Sequence, residues 1–165
     1  MSTSQSAASS YVTLSVAGET YAVPVTTVNE LVLLQPLTVV PAMPESIRGL
    51  MNLRGTVVPV VDLARQLGLG VTEIGSQTCV IVVNAESGGV RSPMGVLTNQ
   101  VDDVVMLAES EVEAAPAFGS TINAAYLTGI TRVQGKYVLI LDLPRILSPD
   151  ELLAAVTVAP EAGPA

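Results

Sequence analysis

The sequence predicts an all-β protein with short helices, folded as a barrel or a pair of barrels. The first observation is an internal repeat, because Ile47–Leu67 returns as Leu127–Leu147 at a constant offset of 80 residues. The identical positions are Gly49, Gly55, Val58, Asp62, Leu63, Arg65 and Leu67, which meet Gly129, Gly135, Val138, Asp142, Leu143, Arg145 and Leu147. The second observation is that short apolar runs alternate closely with turn residues, as in barrels. Two copies of one β-rich unit would leave a groove between them, where we expect function to lie.

The elements before the repeat follow from local patterning. Tyr11–Val16 alternates apolar and polar residues, which predicts a half-buried strand, and a turn leads into a second strand at Thr20–Pro24. In Val25–Leu31 the apolar residues lie three apart. That spacing predicts a short helix or a helical turn, with Glu30 off the buried face. The following segment, Leu31–Val40, is again strand-like.

Each copy of the repeat predicts a hairpin followed by a helix start. In the first copy the strands are Arg48–Leu53 and Thr56–Val61, joined by a glycine-containing reversal that needs φ > 0. Pro59 has no N–H, so its strand is expected at a sheet edge or at a bulge. Asp62 is expected to cap the helix Leu63–Leu67.

The second half repeats this order. Thr78–Val83 and Val90–Leu97 predict a hairpin around Gly88-Gly89, Val104–Leu107 continues the chain, and Asp142 is expected to cap a second short helix.

The similarity between the halves extends upstream at a different offset. Val28-Asn29-Glu30-Leu31 resembles Val101-Asp102-Asp103-Val104, and each follows an apolar hairpin. A longer loop around Pro116–Asn123 would account for the changed spacing. We therefore expect a tail at residues 1–10, one domain at 11–150 with halves near 11–70 and 76–149, and a helix end with a disordered tail at 151–165.

Composition excludes several classes of function. Hydrophobic residues make up 49% of the 165 residues and charged residues 13%, which is typical of a single globular domain. The net charge is −8 and the seven basic residues are scattered, so binding to nucleic acid is not expected. No apolar run is long enough for a membrane span and the first residues do not resemble a signal peptide. With Cys79 as the only cysteine, no internal disulfide forms, and a cytoplasmic location is expected.

The sequence offers little for catalysis or metal binding. It has no histidine, and one cysteine cannot build a structural zinc site, so neither a metal nor a cofactor is expected. Asp62 and Asp142 suggest one alternative, a β-barrel hydrolase in which two carboxylates share a proton. The small residue and glycine that such a turn needs after each aspartate are missing, because Leu63-Ala64 and Leu143-Pro144 follow. Helix capping is the preferred interpretation, and no catalytic residue is predicted.

Three stretches together carry a family resemblance. They are Val28–Leu31, the block Ile47–Leu63 with its Asn-Leu-Arg-Gly core, and Phe118-Gly119 with Tyr126–Ile130 and Val138–Leu143. This pattern resembles the CheW family of chemotaxis coupling proteins and covers about Tyr11 to Ser148. The resemblance implies two intertwined five-stranded SH3-like β-barrels with a groove between them.

The resemblance also implies partners and a set of binding residues. It implies a non-catalytic adaptor between the cytoplasmic tips of chemoreceptors and the regulatory domain of a CheA-type histidine kinase, in receptor arrays at the inner face of the membrane without insertion into it. The family's binding positions fall on Val28, Glu30, Gly49, Asn52, Arg54 and Gly55. In the family, the kinase's regulatory domain docks end to end on the second barrel, which implies contacts near Gly129 and Tyr137–Leu141.

Two alternatives to this function stay open at this point. The same module could serve a sister pathway such as twitching or surface motility. From the residues alone, Arg54 and Glu30 could also be solvated surface charges that contribute little.

Overall fold

The computed structural model describes residues 8–87, 90–114 and 124–147. Within them, eleven strands form two sheets and two helices of one turn follow the repeated hairpins. The strands are β1 (Ala8–Val16), β2 (Glu19–Pro24), β3 (Glu30–Leu33), β4 (Leu37–Thr38), β5 (Ile47–Leu53), β6 (Thr56–Asp62), β7 (Cys79–Ser87), β8 (Val90–Thr98), β9 (Gln100–Ala108), β10 (Leu127–Val133) and β11 (Lys136–Leu141). The helices are α1 (Leu63–Gln66) and α2 (Leu143–Ile146). The predicted all-β class is confirmed.

The two sheets do not follow the two halves of the chain. One sheet, which we call barrel A, has the order β3-β7-β8-β6-β5-β4, and the other, barrel B, has the order β10-β11-β2-β1-β9. The first hairpin of each repeat therefore lies in the barrel of the other repeat: β1–β2 lies in barrel B with β9–β11, and β7–β8 lies in barrel A with β3–β6. Each exchanged hairpin is joined to its barrel on both sides. The junctions are two antiparallel pairs, β3 with β7 and β1 with β9, and two parallel pairs, β6 with β8 and β11 with β2. A boundary near residues 70–76 consequently divides the repeats but not the barrels.

In both sheets, the chain connects one edge of the sheet to the other edge in a similar way. In barrel A the consecutive strands β3 and β4 lie at opposite edges of the sheet, so the chain itself joins the two edges. In barrel B the chain beyond β9 reaches β10, where Glu113 and Ile130 exchange backbone hydrogen bonds of 2.9 and 2.8 Å. Each barrel thus has a segment that pairs antiparallel with the first strand of a repeated hairpin. We call this contact the strand crossing.

A glycine permits that crossing in each barrel. A Cβ at Gly49 would lie 2.8 Å from the Thr38 carbonyl oxygen, and one at Gly129 would lie 2.6 Å from the Glu113 carbonyl oxygen. The strand register also shifts at both glycines, which marks a bulge. The sequence suggested that the shared glycines serve the hairpin reversals. That is correct for Gly55, whereas Gly49 and Gly129 serve the strand crossings.

The interior is divided into three apolar clusters. Each barrel has a small core, lined in barrel A by residues such as Met51 and Leu97 and in barrel B by Leu107 and Ile140. The largest cluster draws on both barrels and on both helices. The helices also meet directly, because the Gln66 side-chain amide donates a 3.0 Å hydrogen bond to the Ile146 carbonyl. The exchanged hairpins lie between cores, because β1–β2 contributes residues to the shared cluster and to the core of barrel B, and β7–β8 contributes residues to the shared cluster and to the core of barrel A.

Three local predictions differ from the structure. The helical turn covers only Val25–Thr27, and Glu30 begins a strand because its backbone pairs with β7. Pro59 lies in an interior strand and not at an edge, since the parallel pairing with β8 begins one residue later, at Val60. β1 begins at Ala8, inside the segment expected as a tail, because it pairs with the end of β9. The Gly88-Gly89 turn, the Pro116–Asn123 loop and residues 151–165 lie outside the described residues.

The strand crossing in barrel B leads to a stability prediction. We expect Gly129→Ala to lower the free energy of unfolding by about 1–3 kcal/mol, because the new methyl group must displace backbone at Glu113. Gly75→Ala is the matched control, since its Cβ would meet nothing within 4 Å, and we expect a change within about 0.5 kcal/mol. Urea unfolding measures both, and equal effects would contradict the crossing role of Gly129.

Candidate protein-interaction site

The tight turn between β5 and β6 places Arg54 at the surface of barrel A. Arg54 and Gly55 both have positive φ, 52° and 88°, as the two-residue hairpin turn of type I′ requires. The Asn52 side-chain oxygen accepts a 2.9 Å hydrogen bond from the Gly55 N–H and so braces the turn. Asparagine or glycine is favoured where Arg54 stands, so the arginine is held in a backbone conformation that is costly for its residue type. Gln134 has the same conformation in the equivalent turn between β10 and β11, with φ of 53°, so this geometry belongs to the repeated hairpin.

Arg54 makes an ion pair with Glu30 at the start of β3. Its Nη2 lies 2.5 Å from Glu30 Oε1, and the arginine side chain is 68% exposed whereas that of Glu30 is 33% exposed. The hydrogen bond from Arg54 lowers the pKa of Glu30, against an opposing effect of desolvation, and the same hydrogen bond raises the pKa of Arg54. The pair directs a planar, exposed set of N–H donors outward, which suits bidentate recognition of a partner's carboxylate or carbonyl groups.

Exposed apolar side chains accompany this pair on the same strands. Leu31 and Leu33 on β3 are 43% and 63% exposed, and Val57 on β6 is 55% exposed. Because side chains alternate along a strand, Leu31 and Leu33 lie on the face of β3 opposite to Glu30. Exposed apolar side chains on this edge strand are more typical of a protein-binding surface than of a small-molecule pocket.

The six predicted binding residues therefore divide into two groups. Glu30, Asn52, Arg54 and Gly55 come together at one turn, as described above. Val28 is half-buried and packs against the shared core. Gly49 is buried in β5 beneath β4, at the strand crossing.

The sequence-predicted cap Asp62 is the centre of a buried polar cluster. Its carboxylate is fully buried and accepts hydrogen bonds from the α1 backbone N–H groups of Ala64 and Arg65, which confirms the capping role. It also accepts bonds from the Thr72 N–H and hydroxyl at 2.9 and 2.6 Å, and from Arg48 Nη1 at 2.7 Å. Arg48 and Thr72 were missed in the sequence, because an isolated arginine in a strand and a threonine in a polar loop carry no signal of their own.

The repeat partner of this aspartate has a smaller role. Asp142 caps α2 through one hydrogen bond of 3.1 Å to the Arg145 N–H, and its side chain is 31% exposed. The burial of Asp62 and the commitment of both its oxygens to structural donors contradict the hydrolase alternative, which needs two carboxylates open to substrate.

The described residues show neither a metal-binding group nor a membrane-spanning helix. Residues 8–87, 90–114 and 124–147 contain no group of three or more acidic or cysteine side chains placed to hold a metal ion. In that same part of the chain, no helix has the length and apolar character needed to cross a bilayer.

The fold and the exposed turn define a two-barrel interaction module, and comparison with known proteins gives its family. A family model of the CheW-like domain matches residues 10–151. The chain is 28% identical over 141 residues to the chemotaxis protein CheW of Klebsiella aerogenes, covering 86% of this chain and 82% of the relative. It is 30% identical over 139 residues to the Bacillus subtilis chemotaxis protein CheW, covering 84% and 86%.

A solved structure supports the same relationship. The scaffolding protein TtCheW from Thermoanaerobacter tengcongensis superposes with a TM-score of 0.78 and 29% sequence identity, over 88% of this chain and 92% of that one. This chain belongs to the CheW-like domain family. The family resemblance and the two-barrel fold inferred from the sequence are thereby confirmed.

The two capping aspartates give a matched test of the buried cluster. We expect Asp62→Ala to lower the free energy of unfolding by about 3–5 kcal/mol, because it leaves Arg48 and several buried N–H groups without their acceptor. Asp142→Ala loses one cap and should cost about 1 kcal/mol. Equal losses in urea unfolding would contradict the different roles of the two aspartates.

The Glu30–Arg54 pair gives a pH prediction. Because the pKa of folded Glu30 is below its ordinary value of 4.5, the pair stabilises the fold above that pH and loses this effect as the pH falls through the lowered pKa. Wild type should therefore exceed Glu30→Gln in stability at neutral pH, and the difference should shrink as the pH falls below 4.5. Urea unfolding at low ionic strength measures this difference. In an Arg54→Ala background the pH-dependent difference should be absent; its persistence would contradict the pairing.

Proposed function

We propose that this protein is a non-catalytic adaptor that couples chemoreceptors to a CheA-type histidine kinase in chemotaxis signalling. The observation that carries the proposal is the exposed Arg54, which stands in a tight hairpin turn and pairs with Glu30 in a chain of the CheW-like family. The relatives named above are chemotaxis proteins and one is described as a scaffold. A bridging protein needs two independent binding surfaces, and a two-barrel module has two ends that can supply them.

The two partners would use different parts of the module. In this proposal the receptor tip contacts barrel A around Glu30, Asn52 and Arg54, and the kinase's regulatory domain contacts barrel B near Tyr137. Tyr137 is 67% exposed, and exposed aromatic residues are frequent binding anchors. Gly49 and Val28 would support the receptor site indirectly, through strand crossing and core packing. The protein would then work in the cytoplasm, at receptor arrays on the inner face of the membrane.

Arg54→Ala tests the receptor-binding part of the proposal. We expect it to weaken binding of a soluble cytoplasmic receptor fragment roughly tenfold, because the charge-assisted hydrogen bonds of the guanidinium are lost. Fold stability should stay close to that of wild type, since alanine keeps the Cβ and the lost ion pair is exposed. Titration calorimetry measures the affinity.

A charge-matched control separates a specific effect from a general one. Arg65→Ala also removes one arginine and one exposed ion pair, the loose 3.7 Å contact with Glu45, and should leave receptor binding unchanged. Gel filtration of wild-type protein with the CheA-type kinase of its own organism tests the other arm of the bridge. Absence of a complex with both the receptor fragment and the kinase would refute the adaptor proposal.

A further inference from the structure

The strand register shows that Asp103 in barrel B occupies the place of Glu30 in barrel A. The comparison follows the strand pairs across each sheet. In barrel A it runs from Glu30 on β3 through β7 and β8 to β6, and in barrel B it runs from Asp103 on β9 through β1 and β2 to β11. The two chains of pairs are Glu30–Val82–Gly95–Val60 and Asp103–Thr13–Ala22–Ile140. Val60 and Ile140 are themselves related by the repeat offset. The correspondence therefore rests on backbone pairing as well as on sequence.

The residue opposite this carboxylate differs between the barrels. Arg54 in barrel A corresponds to Gln134 in barrel B, and both stand first in their hairpin turns with φ of 52° and 53°. Glu30 receives a guanidinium, whereas Gln134 is neutral. Asp103 accepts a 3.0 Å hydrogen bond from the Val104 N–H, and within the described part of the chain no ion pair reaches it. Barrel B thus has the carboxylate of this arrangement without its arginine.

A cavity lies where that arginine would be. Its volume is about 340 Å³ and it is open to solvent between the β1–β2 turn, β9 and the β10–β11 turn. Asp103, Gln134 and the exposed Tyr137 line it. Its other charged lining residues are Glu19, Asp102 and Lys136, so carboxylates outnumber cations. The Asp102 oxygens accept hydrogen bonds from Ser15 and Gln100. Asp103 is the lining carboxylate at the position that corresponds to Glu30, so we assign the ligand contact to it.

We propose that this cavity of barrel B binds an arginine side chain of a different polypeptide, with Asp103 as its carboxylate partner. The twin barrel shows the chemistry, because the same position there holds a guanidinium. Val105 on β9 and Val133 and Val138 on the β10–β11 hairpin also line the cavity and provide apolar contact for the methylene groups of an arginine. A second copy of this chain is a poorer occupant, since each copy has a net charge of −8 and two copies would repel each other. This inference rests on the proposed function, in which the occupant is the regulatory domain of the CheA-type kinase.

Three variants test the inference against the full-length kinase. Asp103→Asn removes the charge and should weaken kinase binding roughly tenfold. Gln134→Arg rebuilds the arrangement of barrel A inside barrel B, so the introduced guanidinium should occupy Asp103 and weaken binding to a similar degree without lowering the unfolding temperature. Gln134→Asn, which suits the left-handed turn and adds no charge, is the matched control and should bind as wild type does. Isothermal titration calorimetry, with both proteins free in solution, measures each affinity.

The possible outcomes separate this inference from the proposed function. If wild type binds the kinase and both Asp103→Asn and Gln134→Arg bind equally well, the arginine site is overturned while the adaptor function stands. If wild type does not bind the kinase at all, both are overturned. If the Asp103-dependent interaction is self-association detected by sedimentation, the assignment to a different polypeptide is wrong. Should Asp103→Asn fail to fold, Gln134→Arg decides the outcome alone.

Discussion

The exchange of hairpins between the two repeats is the constraint on which this structure depends. Neither repeat completes a barrel, because each lends its first two strands to the other through a parallel pairing, β6 with β8 or β11 with β2. The lent hairpins are buried on both faces, one towards a barrel core and the other towards the shared core that the two helices complete. The barrels are consequently joined by the chain, which passes from one to the other, and by packing in the shared core. Their relative position is therefore fixed. That property is what a bridging scaffold requires.

Duplication also supplied two versions of each site, and these have diverged in charge. The aspartate that caps the helix is a buried centre of five hydrogen bonds in the first repeat and a partly exposed cap in the second. The carboxylate on the bent strand is paired with Arg54 in barrel A and faces a neutral glutamine turn in barrel B. The same backbone therefore carries an exposed guanidinium at one hairpin turn and an acidic cavity beside the equivalent turn of the other barrel. Opposite charges on equivalent surfaces favour different partners, because electrostatic complementarity selects what can dock.

Much of the fold was accessible from the sequence, while the site was accessible only in part. Apolar alternation and glycine turns predicted most strands, and the acidic position after each second strand predicted both helix caps, because these features depend on neighbours close in sequence. The extent of the turn at Val25–Thr27 and the interior position of Pro59 were predicted wrongly, since each depends on which distant strand lies alongside. The Thr72 and Arg48 contacts to Asp62 join segments that have no shared pattern.

By itself, the amino-acid sequence determined the duplicated β unit, the left-handed turns and caps, the absence of histidine, and the family to which the chain belongs. These properties are written in local residue types and in their spacing. Only the tertiary structure decided that the hairpins are exchanged, that Gly49 and Gly129 serve strand crossings and that Arg54 reaches Glu30. The cavity beside Asp103 is likewise visible only in the tertiary structure. The physical reason is that these features arise from pairings between strands far apart in the chain, whose partners are selected by the packing of the whole molecule.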